Sequence, residues 1–292
     1  MTSTYIIGTG YLSYNLKKKI NRSKIYNARD FIKNIHLINK NKKINLIINS
    51  FYTTKKLNEI ISYEALVNKS IYEISKILDL LNPKIINKII YTSSSSVYGL
   101  IRNKIKLKEH HNRGIYAALK LASESIIKNF CIDKKIKLCI CRVFNMYGKN
   151  DTFSILNKLY AVKRNNSKIL IYNNGKSIRD FIHIDDIITI YSSILKKPNI
   201  FEIYDIGTGK GLSVMEIVNK LEINKNNIIL KKKTIDEIPI SIANNQDITK
   251  KIFKKKFKNV EDYFNIKKKF AYSISNNENL IKIDKFKKNN HS

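Results

Sequence analysis

Residues 89–120 constrain the fold of this chain more than any other stretch. They begin with a short run of β-branched and aromatic residues, IIYT, which is typical of a buried strand, and the run stops at four consecutive serines. Further along, Tyr116 and Lys120 are separated by three residues in a segment rich in Ala and Leu. At that spacing both side chains lie on one face of a helix, a turn apart. The stretch therefore predicts a strand that ends at a polar site and a helix that follows it.

Tyr116 and Lys120 suit acid/base chemistry. A phenol has a pKa of about 10 in water, and an ammonium group a few ångströms away favours the phenolate. A lowered pKa would make Tyr116 an acid/base near neutral pH, and a serine hydroxyl at the strand end could hydrogen-bond the same substrate oxygen. The plainer alternative is an ordinary pair on a helix surface beside a polar serine loop.

The order of these residues resembles a known family. Members of the extended short-chain dehydrogenase/reductase family, which includes nucleotide-sugar epimerases such as UDP-glucose 4-epimerase, carry SSxxVYG followed by YxxxK. The resemblance implies that Ser94 supplies the catalytic hydroxyl, with Ser93 and Ser95 as competing choices, and that Ser94 and Ser95 contact the substrate. It also implies that Tyr116 is the acid/base and that Lys120 is its partner, both of them beside the cofactor.

The N-terminal segment TYIIGTGYLSYNLKKKI predicts a short apolar strand, a glycine turn and an amphipathic helix. Gly8 and Gly10 let the backbone approach a pyrophosphate, which the free N–H groups of the following helix would attract. Tyr11 and Leu12 begin that helix and are expected beside the dinucleotide. Ser13 replaces the third glycine of GxGxxG, so the evidence for a Rossmann unit comes mainly from the place of the turn between a strand and a helix.

The second and third strands should complete the cofactor site. SKIYNARDF predicts the second strand, and no Asp or Glu stands at its end, where one would bind the ribose hydroxyls of NAD. Arg29 could instead pair with a 2′-phosphate, so NADP is slightly preferred over NAD. KINLIINSFY predicts another buried strand, and the resemblance implies that Asn49 and Ser50 at its end meet the cofactor.

Two motifs after the predicted helix extend the resemblance. RVFNMYG is similar to RxFNxYG, which implies that Asn145 lies at the edge of cofactor and substrate. RDFIHIDD is similar to RDFIxVDD, which implies that Arg179 clamps a substrate phosphate through paired guanidinium donors. We expect His183 to pack or to begin a helix rather than to catalyse. Asp205 stands where the family carries Asn in YNxGxG.

The implied fold class is α/β, a Rossmann-like doubly wound parallel sheet with a smaller C-terminal substrate-binding lobe. The resemblance covers roughly residues 5–222. The expected units are a core over 1–149 rejoined by 183–214, a lobe over 150–182 and 215–285, and a frayed tail over 286–292.

Composition narrows the partners. The formal net charge of +32, from 55 basic and 23 acidic residues, would suggest nucleic acid or an anionic membrane. The basic residues are mostly lysines spread along the whole chain with Ile and Asn, so we prefer a compositional bias and expect neither partner. Three cysteines without metal-ligand spacing predict no metal and a reducing, cytoplasmic compartment. A homodimer is left open.

The expected reaction is epimerisation of a nucleotide sugar by transient oxidation of a sugar hydroxyl. If the ketone left instead, the protein would be an NADP-dependent reductase or dehydrogenase, and a cofactor-binding sensor of the same fold is the non-enzyme alternative. Dehydratases of this family carry Thr-Asp-Glu where this chain has serines from Ser94 onward, so elimination of water is disfavoured. The family's Arg-x-Gly-Asp after Asn224 is absent, which leaves the nucleotide open.

Overall fold

The computed structural model describes residues 2–49, 62–99, 114–197, 201–232 and 238–264, without the side chains of Phe201 and Glu202. The strands are β1 (Ser3–Ile7), β2 (Ser23–Tyr26), β3 (Ile44–Ile48), β4 (Ile86–Ser94), β5 (Lys137–Val143), β6 (Asn145–Tyr147), β7 (Ile169–Tyr172), β8 (Ile178–His183), β9 (Phe201–Ile206), β10 (Gly211–Ser213), β11 (Ile228–Lys231) and β12 (Ile240–Ser241). The α-helices are α1 (Tyr11–Lys19), α2 (Ala28–Lys33), α3 (Ile35–Ile38), α4 (Tyr63–Val67), α5 (Glu73–Leu80), α6 (Gly114–Asp133), α7 (Ile155–Asn165), α8 (Ile184–Lys196), α9 (Val214–Lys220) and α10 (Gln246–Lys251).

Six parallel strands form the central sheet in the order β2-β1-β3-β4-β5-β9. Parallel strands need crossovers, and here the helices supply them on both faces. The predicted α/β class with a doubly wound parallel sheet is confirmed. Because all six strands run the same way, their carboxyl ends meet at one edge, where ligands bind in folds of this kind.

Each face of the sheet buries an apolar cluster. Ile89 and Tyr91 of β4 point toward the face covered by α2, α5 and α6, whereas Ile90 points toward the face covered by α1 and α8. This alternation follows from the two-residue period of a strand. Cys139 and Cys141 are buried in the second cluster.

A third apolar cluster lies beyond the sheet. It joins α7 through Leu156 and Leu159, α9 through Ile217, and the C-terminal part of the described chain through Val260 and Tyr263. A small sheet of β10, β8 and β12, with β6 paired to β8, connects this cluster to the central sheet. The cluster fits a smaller lobe, and the boundaries of that lobe stay a prediction.

The helix before β4 consists of two pieces. α4 and α5 are joined by a π-helical turn over Asn68–Tyr72. The hydroxyl of Ser123 on α6 donates a hydrogen bond to the Ser70 carbonyl oxygen at 3.1 Å, within that turn. Such single π-helical turns inside α-helices are rare.

Within the described ranges, none of the helices combines the length and the hydrophobicity that crossing a membrane requires. The same residues contain no group of three or more His, Cys, Asp or Glu side chains arranged to hold a metal ion.

Candidate active site

Ser94 is the last residue of β4, at the carboxyl edge of the sheet. Its hydroxyl begins a short 3-10 turn over Ser95–Tyr98, because it accepts hydrogen bonds from the Ser96 backbone N–H at 3.2 Å and from the Ser96 hydroxyl at 3.0 Å. Ser94 also hydrogen-bonds the side chain of Tyr116. The side chain of Ser93 instead points into the protein, where its buried hydroxyl has no hydrogen-bond partner among the described residues. Of the serine choices, the structure joins Ser94 to the candidate acid/base.

Tyr116 lies in the first turn of α6 and Lys120 one turn later, as the spacing predicts. The Lys120 ammonium group is buried and donates a hydrogen bond to the Thr92 carbonyl oxygen at 2.7 Å. It also lies 5.0 Å from the centre of the Tyr91 ring, a distance at which an aromatic face attracts a cation. Strand β4 therefore holds both members of the pair, Tyr116 through Ser94 and Lys120 through the Thr92 carbonyl.

The pKa of Tyr116 is raised, and the sequence-based expectation of a lowered pKa is wrong for this structure. Burial raises the pKa of Tyr116, because the phenolate loses solvation, and the hydrogen bond from Ser94 offsets only part of the effect. Burial also lowers the pKa of Lys120 to about 7, against an opposing effect of Glu124. Lys120 is thus only partly charged at neutral pH, and the charge expected to favour the phenolate is weakened.

A buried polar network lies below the pair on the same face of the sheet. Arg142 of β5 binds Glu124 of α6 through two hydrogen bonds, and its guanidinium carbon lies 4.9 Å from the centre of the Tyr98 ring. The Tyr98 hydroxyl donates to the Asp205 carboxylate at 2.5 Å, and the other Asp205 oxygen accepts from the Asn244 backbone N–H at 3.2 Å. The network connects α6, β5 and β9 to the turn that Ser94 begins.

Burial has the largest effect on the pKa values of two groups in this network. It raises the pKa of Tyr98 to about 12 and raises the pKa of Asp205 above its ordinary value. Sequence reasoning noted Asp205 as a departure from the family's Asn and assigned no role to Tyr98. The VYG motif was the available signal, since a tyrosine so close to a strand end can reach the neighbouring strands.

The glycine turn between β1 and α1 has the geometry that a pyrophosphate needs. Gly8 has a φ of +118°, which a residue with a side chain rarely adopts. Gly10 caps α1 without any side-chain hydrogen bond, and a Cβ atom built on it would meet nothing within 4 Å. The space beside Gly10 is therefore open, and the first N–H groups of α1, which have no partner within the helix, are the groups that would bind an anion there. These residues fit a dinucleotide.

Of the residues after the glycine turn, some can contact a ligand and others are buried in the core. Tyr11 is half-buried, and its hydroxyl donates to the Lys149 carbonyl oxygen at 2.9 Å. The Leu12 side chain is buried in the core beneath α1, so any contact with a dinucleotide would come from its backbone N–H. Asn49 at the end of β3 donates from Nδ2 to the hydroxyl of Ser13 at 2.6 Å. Sequence reasoning missed this contact, in which the serine that replaces the third glycine ties α1 to β3; Ser50 lies outside the described residues.

Arg29 lies in the first turn of α2, directly after β2, and is exposed. Asn27 caps this helix by accepting a hydrogen bond from the Asp30 backbone N–H at 2.8 Å, and its Nδ2 donates to the Asp30 carboxylate at 2.6 Å. The end of β2 thus carries the amide of Asn27, and the nearest carboxylate, that of Asp30, is hydrogen-bonded to this amide.

Asn145 and Arg179 lie on neighbouring strands, β6 and β8, and both are half-buried. Asn145 donates from Nδ2 to the Asp180 carbonyl oxygen at 3.2 Å, and the Arg179 guanidinium donates to the Ile178 carbonyl oxygen at 2.8 Å. His183 caps α8 by accepting a hydrogen bond from the Asp185 backbone N–H at 3.2 Å, so it begins a helix as expected.

Asp180 is the site residue that sequence reasoning overlooked. Its buried carboxylate accepts from the Thr208 N–H and hydroxyl at 2.9 and 2.7 Å, and from the N–H groups of Gly209 and Ala243 at 2.8 and 3.2 Å. A buried carboxylate with this many donors is well satisfied. Asp180 therefore holds the turn after β9 beside Arg179, and its position within RDF was the available signal.

A sequence profile described as the NAD dependent epimerase/dehydratase family matches residues 18–207, well over half of the chain. The chain belongs to this family. The match begins after the glycine turn, so the turn itself is supported by the geometry above.

Curated relatives of this family member include a dTDP-D-glucose 4,6-dehydratase from Dictyostelium discoideum, 29% identical over 152 residues, which cover 47% of this chain and 35% of that protein. An ADP-L-glycero-D-manno-heptose-6-epimerase from Brachyspira hyodysenteriae is 26% identical over 255 residues, covering 74% of this chain and 78% of that protein. The matches to the first three dehydratases span only 35% to 40% of those proteins.

Solved structures confirm the fold of this family member. A UDP-glucuronic acid 4-epimerase from Bacillus cereus superposes with a TM-score of 0.75 at 18% identity, covering 90% of this chain and 96% of that one. A UDP-glucose 4-epimerase from Thermus thermophilus in complex with NAD gives 0.70 at 13% identity, covering 85% and 92%. At these identities the likeness concerns the fold alone.

Proposed function

We propose that this family member is an NAD(P)-dependent nucleotide-sugar epimerase that transiently oxidises a sugar hydroxyl. The observation that carries the proposal is the hydrogen bond between Ser94 and Tyr116, one helical turn from buried Lys120, at the sheet edge where the open glycine turn also lies. In this proposal the acid, the hydroxyl donor and the dinucleotide site share one cleft, and the smaller lobe would close it.

Each candidate residue has a separate part in the reaction. A dinucleotide bound at Gly8, Gly10 and the start of α1 supplies the hydride acceptor. Tyr116 takes the proton from the sugar hydroxyl, and Ser94 donates a hydrogen bond to the same oxygen. In the return step Tyr116 gives the proton back to the carbonyl oxygen. If the sugar turns over between the two steps, the configuration of that carbon is inverted.

The raised pKa of Tyr116 determines its protonation state before the reaction begins. At neutral pH the phenol is protonated, so it is ready to donate a proton in the reductive step. The oxidative step needs the phenolate, and a positive charge nearby favours that form. In this proposal Lys120 supplies that charge when it is protonated, and it also holds the ribose of the dinucleotide.

Substrate recognition is assigned to the lobe side of the cleft. Arg179 offers a planar pair of donors for a phosphate of the substrate, and Asn145 on the neighbouring strand offers an amide. Ser95 is half-buried next to Ser94 and is the further hydroxyl in reach of a sugar.

Epimerisation is favoured over dehydration because of residues 94–96. Elimination of water from a sugar needs an acid to protonate the leaving hydroxyl. Where dehydratases of the family carry Asp and Glu, this chain has Ser95 and Ser96, whose hydroxyls cannot supply that proton near neutral pH. The relative with the broadest coverage quoted above is an epimerase. An NADP-dependent reductase of a sugar or other ketone is the second candidate, favoured by exposed Arg29 at the end of β2.

Two measurements test the proposal. Native mass spectrometry of the purified protein reports retained dinucleotide and subunit number, and an epimerase is expected to keep its cofactor while a reductase exchanges it. Turnover of UDP-, dTDP- and ADP-sugars in D2O should give an inverted carbon without deuterium, because the hydride never leaves the protein. Deuterium at the inverted carbon would show that the carbon is inverted by proton abstraction rather than by hydride transfer. Failure to bind either dinucleotide would refute the proposed function altogether.

A further inference from the structure

A second concave site lies outside the candidate active site. It is a cleft of about 640 Å³, within the usual size range of small-molecule sites. Its floor consists of apolar side chains, namely Phe181, Leu212, Phe253, Phe257 and Val260. Phe253 and Phe257 stack on each other with ring centres 4.6 Å apart. The two rings form a continuous apolar surface on the floor of the cleft.

The cleft is set apart from the catalytic helix by the sheet. Phe253 belongs to the apolar cluster on the α1 and α8 face, whereas α6, which carries Tyr116, covers the opposite face. Phe181 and Val260 belong to the cluster of the smaller lobe. The cleft thus lies where the lobe meets the α8 face, and none of the candidate catalytic or cofactor residues lines it.

The rim of the cleft is cationic. Five lysines line it and no Asp or Glu does: Lys210, Lys254, Lys255, Lys256 and Lys258. Lys258 is compensated, because its ammonium group binds the Asp185 carboxylate at 2.5 Å, and the Lys254 ammonium group bonds the Lys250 carbonyl oxygen. For the other three, no acidic side chain within the described ranges lies at ion-pair distance.

We propose that this cleft binds an organic phosphate ester with an apolar body. Three uncompensated ammonium groups around one opening favour a dianionic group, and lysine is a common phosphate ligand. The apolar floor would cover an aromatic or acyl body, which removes apolar surface of both partners from water.

The test uses 1-naphthyl phosphate as the probe, titrated by calorimetry into the full chain saturated with NAD, so that the cofactor site is filled. We expect the Kd to rise at least tenfold when Lys255→Gln and Lys256→Gln are combined. The matched control combines Lys33→Gln and Lys40→Gln, two lysines at the far edge of the sheet with the same change in net charge. This control should change the Kd less than twofold. An equal loss of probe affinity in both double variants would show that only the net charge of the protein attracts the probe, and it would overturn the proposal.

Two further titrations separate the parts of the ligand. Inorganic phosphate and neutral 1-naphthol should each bind at least tenfold more weakly than 1-naphthyl phosphate, and equal binding of either would overturn the proposal. Arg179→Lys should leave the probe affinity unchanged, whereas a loss would place the probe in the substrate cleft instead. The measurement does not depend on turnover, so it stands or falls separately from the proposed epimerase.

Discussion

Arg142 and Glu124 form a two-point salt bridge, with Nε to Oε1 at 3.1 Å and Nη2 to Oε2 at 2.7 Å, below the candidate active site. Their side chains are only 16% and 7% exposed, so each charge depends on the other for solvation. Because Arg142 also stacks on Tyr98, the pair fixes the turn that begins at Ser94.

Glu124→Gln should lower the free energy of unfolding by about 3 kcal/mol, since it leaves a buried guanidinium without its counter-charge. The matched control is Asp247→Asn, which breaks the exposed ion pair between Asp247 and Lys251 and should cost about 0.5 kcal/mol or less. Urea unfolding of both variants makes the comparison. Equal losses would mean that the buried pair contributes no more than a surface pair.

Tyr116→Phe removes the hydroxyl that bonds Ser94 and keeps the ring for packing. Fold and dinucleotide binding should survive, while kcat should fall by about 10² to 10⁴, the usual worth of a general acid/base. Hydride transfer followed by cofactor absorbance measures the effect. The control is Tyr72→Phe, at an exposed tyrosine on the helix before β4, which should keep the full rate. A wild-type rate in Tyr116→Phe would show that Tyr116 is not the acid/base of the reaction.

The lowered pKa of Lys120 predicts how stability depends on pH. Between a folded pKa of about 7 and an unfolded pKa of 10.5, the unfolded chain binds a proton that the folded chain does not. The folded state is therefore favoured as pH rises through this window, and the burial penalty is largest below pH 7. From pH 6 to pH 9 the wild type should gain about 2 to 3 kcal/mol relative to Lys120→Met. A difference between the two proteins that stays constant with pH would show that Lys120 has an ordinary pKa.

Activity in the oxidative direction should rise with pH above neutrality. The raised pKa of Tyr116 means that the working phenolate is scarce at pH 7 and becomes common only as pH approaches that pKa. The reductive direction uses the protonated phenol, which predominates until the pH approaches that pKa, so its rate should stay nearly constant over the same range. Initial rates of oxidation and reduction over pH 6 to 10 provide the measurement, and parallel profiles in the two directions would exclude Tyr116 as the titrating group.

Arg29→Ala tests the choice of dinucleotide. If Arg29 binds a 2′-phosphate, the variant should lose about 1 to 3 kcal/mol of NADP binding, the scale of a charged hydrogen bond, and should keep its NAD affinity. Lys33→Ala removes a positive charge from the last turn of the same helix and serves as the control. Fluorescence titration with both dinucleotides decides, and equal losses for the two would refute the role of Arg29.

Arg179→Lys keeps the charge of the candidate phosphate clamp but removes its paired donors. The expected result is a raised KM for the nucleotide sugar with unchanged dinucleotide binding. Arg164→Lys, at an exposed arginine in the last turn of α7, is the matched control. An unchanged KM in Arg179→Lys would show that this arginine only packs β8.

The sequence by itself determined the elements and their order. Apolar runs predicted β1, β3 and β4, and the amphipathic pattern after the glycine turn predicted α1. The spacing of Tyr116 and Lys120 placed them a turn apart on α6, because these features depend only on local geometry. The VYG and RDF motifs predicted the neighbourhood of the site through their resemblance to the family.

Only the tertiary structure decided how those residues behave. The pKa of Tyr116 depends on burial, which comes from β4 and α6 packing together, and the Thr92 carbonyl that holds Lys120 belongs to a strand far away in sequence. Likewise, Asp180 reaches the turn after β9, and Asn49 reaches Ser13, across strand pairs that no local pattern encodes. Solvation and long-range hydrogen bonds are properties of the packed chain, so they could not be predicted from the order of its residues.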